Sequence, residues 1–349
     1  MTSTPHNPPA IEVHDLTKRY PRAETNAVDA ISFTVQRGEI FGLLGPNGAG
    51  KTTTIGMLTT RAIPSSGTAR VMGINVVSDP IGVKQIISVV PQRINLDLSL
   101  NARDILTFHA SYHGVPKAER DKLADLLLAE FGLEKRSKDK VNHYSGGMAQ
   151  RVMIARAMMH LPQVLFLDEP TNNLDPQARL FLWERIRALQ ERGISIMLTT
   201  HDMEEASRLC DRIAIMDHGH LLICDTLAKL EELIPGGTTL ELRVSMPKPA
   251  LAVVGQSGEA EHSPDGSQLR QVLSSLPGVA RVEEVAPAKK AETRTDLTVF
   301  RLYAEDAPAL IPQVVHVITE WNAELRDLHL ARPSLEDVFI YLTGRNLRS

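Results

Sequence analysis

With 349 residues, 43% of them hydrophobic, the chain is long enough for about two domains and too apolar for wholesale disorder. A net charge of −4 excludes a general attraction to nucleic acid or anionic lipid, although a local basic patch is still allowed. No window offers ~18 consecutive apolar residues, and even 152–167 is broken by Arg156 and His160, so a membrane process would need its spans from another polypeptide.

Residues 1–10 are polar and proline-rich, lack the pattern of a signal peptide, and are expected to be a disordered start. Segments 11–16 and 30–35 alternate like half-buried strands. Tyr20 stands between them. An aromatic there can stack on an adenine face, but plain packing is the commoner role of a tyrosine at a strand end.

The apolar run 40–44 leads into Gly45, Pro46, Asn47, Gly48, Ala49, Gly50, Lys51, Thr52 and Thr53, followed by a helix-compatible segment to Leu58. This is G-x-x-x-x-G-K-[ST] in the strand, loop and helix context that gives the motif its meaning. The glycines let backbone N–H groups turn inward and, with the helix N-terminus, form a nest for phosphate oxygens. Lys51 adds a point charge for β- and γ-phosphates, and the Thr52 hydroxyl is a ligand for Mg²⁺.

Beyond a turn at 63–67, strands are expected at 68–72 and 86–90, the second ending in Pro91-Gln92. Helices are expected at 101–113, capped by Asn101, and at 116–131, with Pro116 in the first turn and Gly132 as the stop. Ser145, Gly146 and Gly147 open a further helix to about His160. The run 164–167 reads as a buried parallel strand that delivers Asp168 and Glu169 to its carboxyl end, the edge where open α/β sheets bind ligands. Asp168 suits Mg²⁺, and Glu169 suits the orientation or deprotonation of an attacking water. Asp175 and Pro176 begin a helix to Arg192, a strand at 194–199 precedes His201, and a hairpin over 213–224 turns at His218-Gly219.

Composition shifts after Pro235-Gly236-Gly237. Strands at 239–244, 279–285, 297–303 and 325–330 and helices at 267–275, 308–321 and 334–342 follow, with a Pro/Gly/Ser-rich loop at 247–266. That order is a split βαβ, ferredoxin-like α+β unit with an extra helix. Cys210 and Cys224 lie in apolar surroundings without CxxC spacing, which favours buried, reduced thiols in a cytosolic protein.

Taken together, the residues Gly45 to Thr53, Gln92, Tyr144-Ser-Gly-Gly-Met-Ala-Gln-Arg151, Leu165-Phe-Leu-Asp-Glu-Pro170, Asn173-Leu-Asp175 and His201 resemble the ATP-binding-cassette (ABC) ATPases in order and spacing. The likeness runs over about 11–230. It implies an α/β fold: a P-loop ABC ATPase domain at 11–235, with a helical signature subdomain at about 93–160; the composition break after Gly237 and the new strand–helix order set off an accessory domain at 238–349. ATP and Mg²⁺ are the implied cofactors, with Thr52, Gln92 and Asp168 at the metal. Lys51, Glu169 and His201 are then catalytic, Tyr20 is the adenine-stacking aromatic, Gln92 the lid glutamine, and His201 the switch histidine at the γ-phosphate. The implied partners are a second copy of the ATPase and a membrane permease, which would hold the chain at the cytoplasmic face of the cell membrane; no nucleic acid is implied.

Tyr144 and Met148 depart from the family's usual leucine and glutamine, but the Ser-Gly-Gly core is intact. The tail from Pro333 to Leu347 is similar to the ending of drug-resistance-type exporter ATPases, the group with daunorubicin-resistance and nodulation-factor exporters, and it also reads as an amphipathic helix with Leu335, Val338, Phe339 and Leu342 on one face. The likeness implies export of a drug or antibiotic, a lipid or a glycan. The alternatives are a soluble ABC ATPase acting on ribosomes or DNA, which a single cassette and an acidic balance disfavour, and an importer subunit, which the tail disfavours.

Overall fold

A computed structural model describes residues 8–234, 238–245, 266–285, 297–304, 306–331 and 333–344. The chain divides between Leu227 and Ala228 into two compact units.

In chain order the first unit contains β1 (Ile11–Lys18), β2 (Val28–Val35), β3 (Ile40–Leu44), α1 (Lys51–Leu58), β4 (Ser66–Val71), β5 (Ile74–Asn75), α2 (Pro80–Ile86) and β6 (Ile87–Val90). Next come α3 (Ala102–Tyr112), α4 (Lys117–Glu130), α5 (Gly146–Ala157), β7 (Val164–Asp168), α6 (Pro176–Glu191), β8 (Ser195–Thr200), α7 (Met203–Leu209), β9 (Arg212–Asp217) and β10 (His220–Asp225). One sheet has the order β10-β9-β3-β8-β7-β6, parallel except for the hairpin strand β10. Every residue of β3, β7 and β8 is buried, as expected of parallel strands covered on both faces. A second, antiparallel sheet has the order β2-β1-β4-β5.

Register sets the functional edge. Leu44 pairs with Thr200 and Asp168 with Thr199, so β3, β7 and β8 release their next residues at the same carboxyl-terminal rim. Those residues are Gly45, Glu169 and His201.

Local capping explains several helix starts. Asn101, Ser145 and Asp175 stand at the N-caps of α3, α5 and α6, each accepting a backbone N–H three residues on. Pro116 is the N-cap of α4 rather than a member of its first turn. Helix α5 ends at Ala157, short of the expected His160: past it the chain tightens into three-residue turns, Met159 N–H to Arg156 O and Leu161 N–H to Met158 O, and Leu161 then adopts φ 53° before Pro162. The short helices α2 and α7, capped by Asp79 and Asp202, were not expected, since seven residues are too few to display a clear period.

Of the start read as disordered, residues 1–7 lie outside the described residues. Ala10 is already fully buried, donating its N–H to Val35 O at 2.8 Å. Cys210 is buried, but Cys224 is only partly so, and both are free thiols. Burial pushes both thiols upward in pKa.

The second unit contains α8 (Leu227–Glu231) from Ala228 onward, then β11 (Thr238–Ser245), α9 (Gly266–Ser274), β12 (Val279–Val285), β13 (Leu297–Ala304), α10 (Ala307–Glu320), β14 (Glu324–Ala331) and α11 (Leu335–Thr343). Its antiparallel sheet runs β12-β13-β11-β14, the strand order of a ferredoxin-like βαββαβ unit. Leu240, Leu242, Phe300 and Leu302 from the sheet pack with Leu269 and Leu273 of α9 and Leu310 and Val314 of α10. The expected loop at 247–266 lies almost wholly outside the described residues. Among the described residues no helix is long and apolar enough to cross a membrane.

Candidate active site

The loop after β3 is held by close approach on one side and by handedness on the other. A Cβ on Gly45 would stand 2.2 Å from Met216 O, a backbone atom that cannot move aside without disturbing β9. Gly50, the N-cap of α1, has φ 105°, and a Cβ there would stand 2.5 Å from Ala27 O. Between these points the chain wraps tightly enough for Lys51, the first residue of α1, to return its Nζ to Gly45 O at 2.7 Å and Pro46 O at 3.1 Å. Lys51 is buried, and desolvation lowers its pKa, opposed chiefly by the nearby Glu169 carboxylate.

Asp168 ends β7 and accepts hydrogen bonds on Oδ1 from Thr199 Oγ1 at 2.6 Å and Thr52 Oγ1 at 3.2 Å. Glu169 then turns sharply, with φ 49°, while its N–H donates to Thr199 O at 3.0 Å. A non-glycine residue in this region is strained, and such strain is concentrated at functional sites.

The Glu169 carboxylate is the meeting point of the site. Its Oε1 lies 3.5 Å from Lys51 Nζ and 3.3 Å from His201 Nδ1. Its Oε2 accepts from Gln92 Nε2 at 2.7 Å and from Asn172 Nδ2 at 3.2 Å. His201 Nδ1, although near Oε1, makes no well-directed hydrogen bond and is a buried nitrogen without a partner. A cavity of about 40 Å³ opens beside Glu169, Asn172, Thr200 and His201. That is room for at least one water at roughly 15 Å³ each.

Sequence reasoning named Lys51, Thr52, Gln92, Asp168, Glu169 and His201, and the fold gathers all six at one rim. It missed Asn172 and Thr199. It also missed the support behind His201, where Asp202 caps α7 and pairs with Arg179 at 2.7 Å. Buried Glu205 accepts from Thr171 Oγ1 at 2.7 Å and Trp183 Nε1 at 3.2 Å, and desolvation raises its pKa.

Among the described contacts none joins Tyr20, Ser145, Gly146 or Gly147 to this cluster. Tyr20 is half exposed with Lys18 Nζ 5.2 Å from its ring centre, in the connection whose far end, Ala27, packs on Gly50. Ser145 and Gly146 are exposed, while a Cβ on Gly147 would press on Ala178 Cβ at 3.1 Å. The two unusual residues around them share one neighbour. Tyr144 donates its hydroxyl to Arg136 O at 2.6 Å, and the Arg136 guanidinium lies 5.3 Å from the Tyr144 ring and 3.5 Å from Met148 Sδ.

The donors present suit the groups that the loop calls for. Thr52 and Asp168 offer hard oxygens for Mg²⁺, and Lys51 with the loop N–H groups offers positive charge for phosphates.

Comparison with known proteins places the chain among relatives along its length. The family model described as ABC transporter matches residues 28–172, and one described as an AAA domain matches 148–207. Nod factor export ATP-binding protein I of Burkholderia thailandensis is 38% identical over 97% of this chain and 98% of its own. The doxorubicin resistance ATP-binding protein DrrA of Mycobacterium tuberculosis is 36% identical over 96% of this chain and 93% of its own. The linearmycin resistance ATP-binding protein LnrL of Bacillus subtilis is 34% identical over 97% and 99%. Among solved structures, the ATP-binding subunit of an ABC transporter superposes with a TM-score of 0.59 at 32% identity, covering 64% of this chain and 92% of that one. CbiO1 of Clostridium perfringens, part of the transporter complex cbiONQ, gives 0.58 at 28% identity, covering 62% and 88%.

Proposed function

Because the chain belongs to the ABC transporter family of ATP-binding subunits, we propose that it binds and hydrolyses ATP at the rim of β3, β7 and β8 to power export through a separate membrane permease. It is an exporter-type ABC ATPase, and such subunits work with permease partners. The relatives act in Nod factor export and in resistance to doxorubicin and linearmycin, which favours a drug or antibiotic, a lipid or a glycan as cargo here. The observation that carries the site assignment is the convergence of Lys51, Gln92, Asn172 and His201 on the Glu169 carboxylate.

In this reading the loop 45–53 and Lys51 bind the phosphates, and Tyr20 stacks on the adenine. Thr52, Asp168 and Gln92 would hold Mg²⁺, which when bound would neutralise phosphate charge. Glu169 accepts the proton of the attacking water, and His201, with its unpartnered Nδ1, meets the γ-phosphate. Ser145, Gly146 and Gly147 belong to a second copy's site, so the working form is a homodimer held against the membrane by the permease.

Hydrolysis by the purified chain should stop on chelation and return with added Mg²⁺. Thr52→Ala should raise the Mg²⁺ requirement by about tenfold or more, read from activity against free Mg²⁺. An unchanged requirement would remove Thr52 from the metal site. Lys51→Ala should abolish nucleotide binding and hydrolysis together, and persistence of both would overturn the ATPase reading of this rim.

We propose an ATPase domain at 11–235 and an accessory domain at 238–349; the separate core of the second unit supports two domains, while the compact units divide a little earlier, between Leu227 and Ala228. Truncation after Pro235 should therefore leave a soluble protein that binds ATP with about the affinity of the whole chain. Aggregation with loss of binding would mean that the two parts share a core.

A further inference from the structure

Away from the phosphate rim, three histidines meet where the helical insertion touches the sheet. His109 and His113 are four residues apart at the end of α3 and so lie on one face, with ring centres 4.9 Å apart. His160 follows α5, and its ring stacks on His113 at 3.8 Å with planes 2° apart. One ring nitrogen from each lies within 4.8 Å of the other two.

The tautomer of His160 is set by its surroundings. Nε2 lies 2.9 Å from Ile87 O, an acceptor only, so Nε2 carries the proton and donates it there. Nδ1 is left with its lone pair, buried and without a hydrogen-bond partner. A ring that gives one nitrogen to a backbone carbonyl and keeps the other free is the usual state of a metal-binding histidine. Burial is the main reason that the His109 pKa falls to about 4, with Arg156 and the two other histidines adding to it, so this ring too is neutral at pH 7.

We propose that His109, His113 and His160 form a site for a transition-metal dication of the zinc type, distinct from the Mg²⁺ position at Thr52 and Asp168. Imidazole nitrogen suits Zn²⁺, Ni²⁺, Co²⁺ and Cu²⁺ and does not suit Mg²⁺ or Ca²⁺. Arg156, which donates to Asn95 Oδ1 at 2.6 Å, adds positive charge beside His109. That charge opposes any dication equally, so binding has to draw on metal–nitrogen bonds, which only the imidazole-preferring ions supply. Tetrahedral ligands at zinc stand roughly 3.3 Å apart, so the stacked rings must open and close in by an ångström or more. His113, exposed and at the C-cap of α3, is the ring placed to turn. A water completes the coordination. The ion would pin α3 to the end of α5 and, through His160 and Ile87, to β6, the strand that leads to Gln92.

Zn²⁺ is titrated by calorimetry into the full-length, tag-free chain, with millimolar Mg²⁺ present to fill the oxygen site. One Zn²⁺ is expected per wild-type chain. His113→Ala should weaken binding by at least about tenfold, and His109→Ala/His113→Ala should remove it. His316→Ala, which removes an exposed histidine paired with Glu320 elsewhere, should change nothing. Co²⁺ should give the strong visible absorption of a nitrogen-bound tetrahedral ion in wild type and lose it in the double variant. Wild type that takes up no Zn²⁺, or a double variant that melts like wild type and binds Zn²⁺ equally well, overturns the proposal. Should the double variant fail to fold, His113→Ala decides alone, because its ring is exposed: undiminished Zn²⁺ binding there overturns the site as well.

Discussion

Glu169→Gln is expected to bind ATP as wild type does while steady-state hydrolysis falls by about a hundredfold or more, the scale on which a general base contributes. Glutamine keeps the shape of the side chain and can still accept from Gln92 or Asn172 on its amide oxygen. What it cannot do is take a proton from water. The loop proposed to bind phosphate keeps its shape, because Lys51 stays anchored to Gly45 O and Pro46 O when its ion pair with Glu169 is lost. Loss of turnover without loss of affinity therefore separates the base from the binding groups. Asp168→Asn should behave differently, weakening the response to Mg²⁺, since Asp168 faces Thr52 and Thr199 rather than the cavity. Nucleotide affinity by fluorescence and phosphate release on the same preparation check both statements. Hydrolysis by Glu169→Gln at the wild-type rate would sink the assignment.

The parts of this site that were legible in the sequence are those governed by local chemistry. A buried strand followed by glycines, lysine and threonine determines its own conformation, and caps such as Asn101, Ser145 and Asp175 act within three residues. An apolar strand ending in two acids also announces which edge of a sheet they reach. Asn172 and Thr199 were invisible for the opposite reason. Each is a small polar residue in no motif, and each matters only because parallel register brings β8 beside β7 and the next turn under Glu169. Arg136 is a similar case: its contact with Tyr144 and Met148 joins two departures from the family pattern that look unrelated along the chain. The histidines are half legible, since the spacing of His109 and His113 can be read directly, whereas the approach of His160 is tertiary.

Hydrolysis is expected to need two copies of the chain, with Ser145, Gly146 and Gly147 of one closing on ATP held by Lys51 of the other. Ser145 sits at a helix start with an exposed hydroxyl, Gly146 leaves open space above the first N–H groups, and no described contact links them to Lys51 of the same chain. Lys51→Ala and Ser145→Arg should each be inactive alone and should each melt near the wild-type temperature, allowing about 1 kcal/mol for the lost cap in the second. A heterodimer of the two contains one site with its lysine and its serine both intact, so activity should return on mixing. Wild type paired with a Lys51→Ala/Ser145→Arg double variant contains no such site if the signature acts across the dimer, and its activity should be near zero. If the signature acts within one chain, the two outcomes exchange places. Purified heterodimers with near half of wild-type activity in the second mixture and none in the first would rule out the shared site.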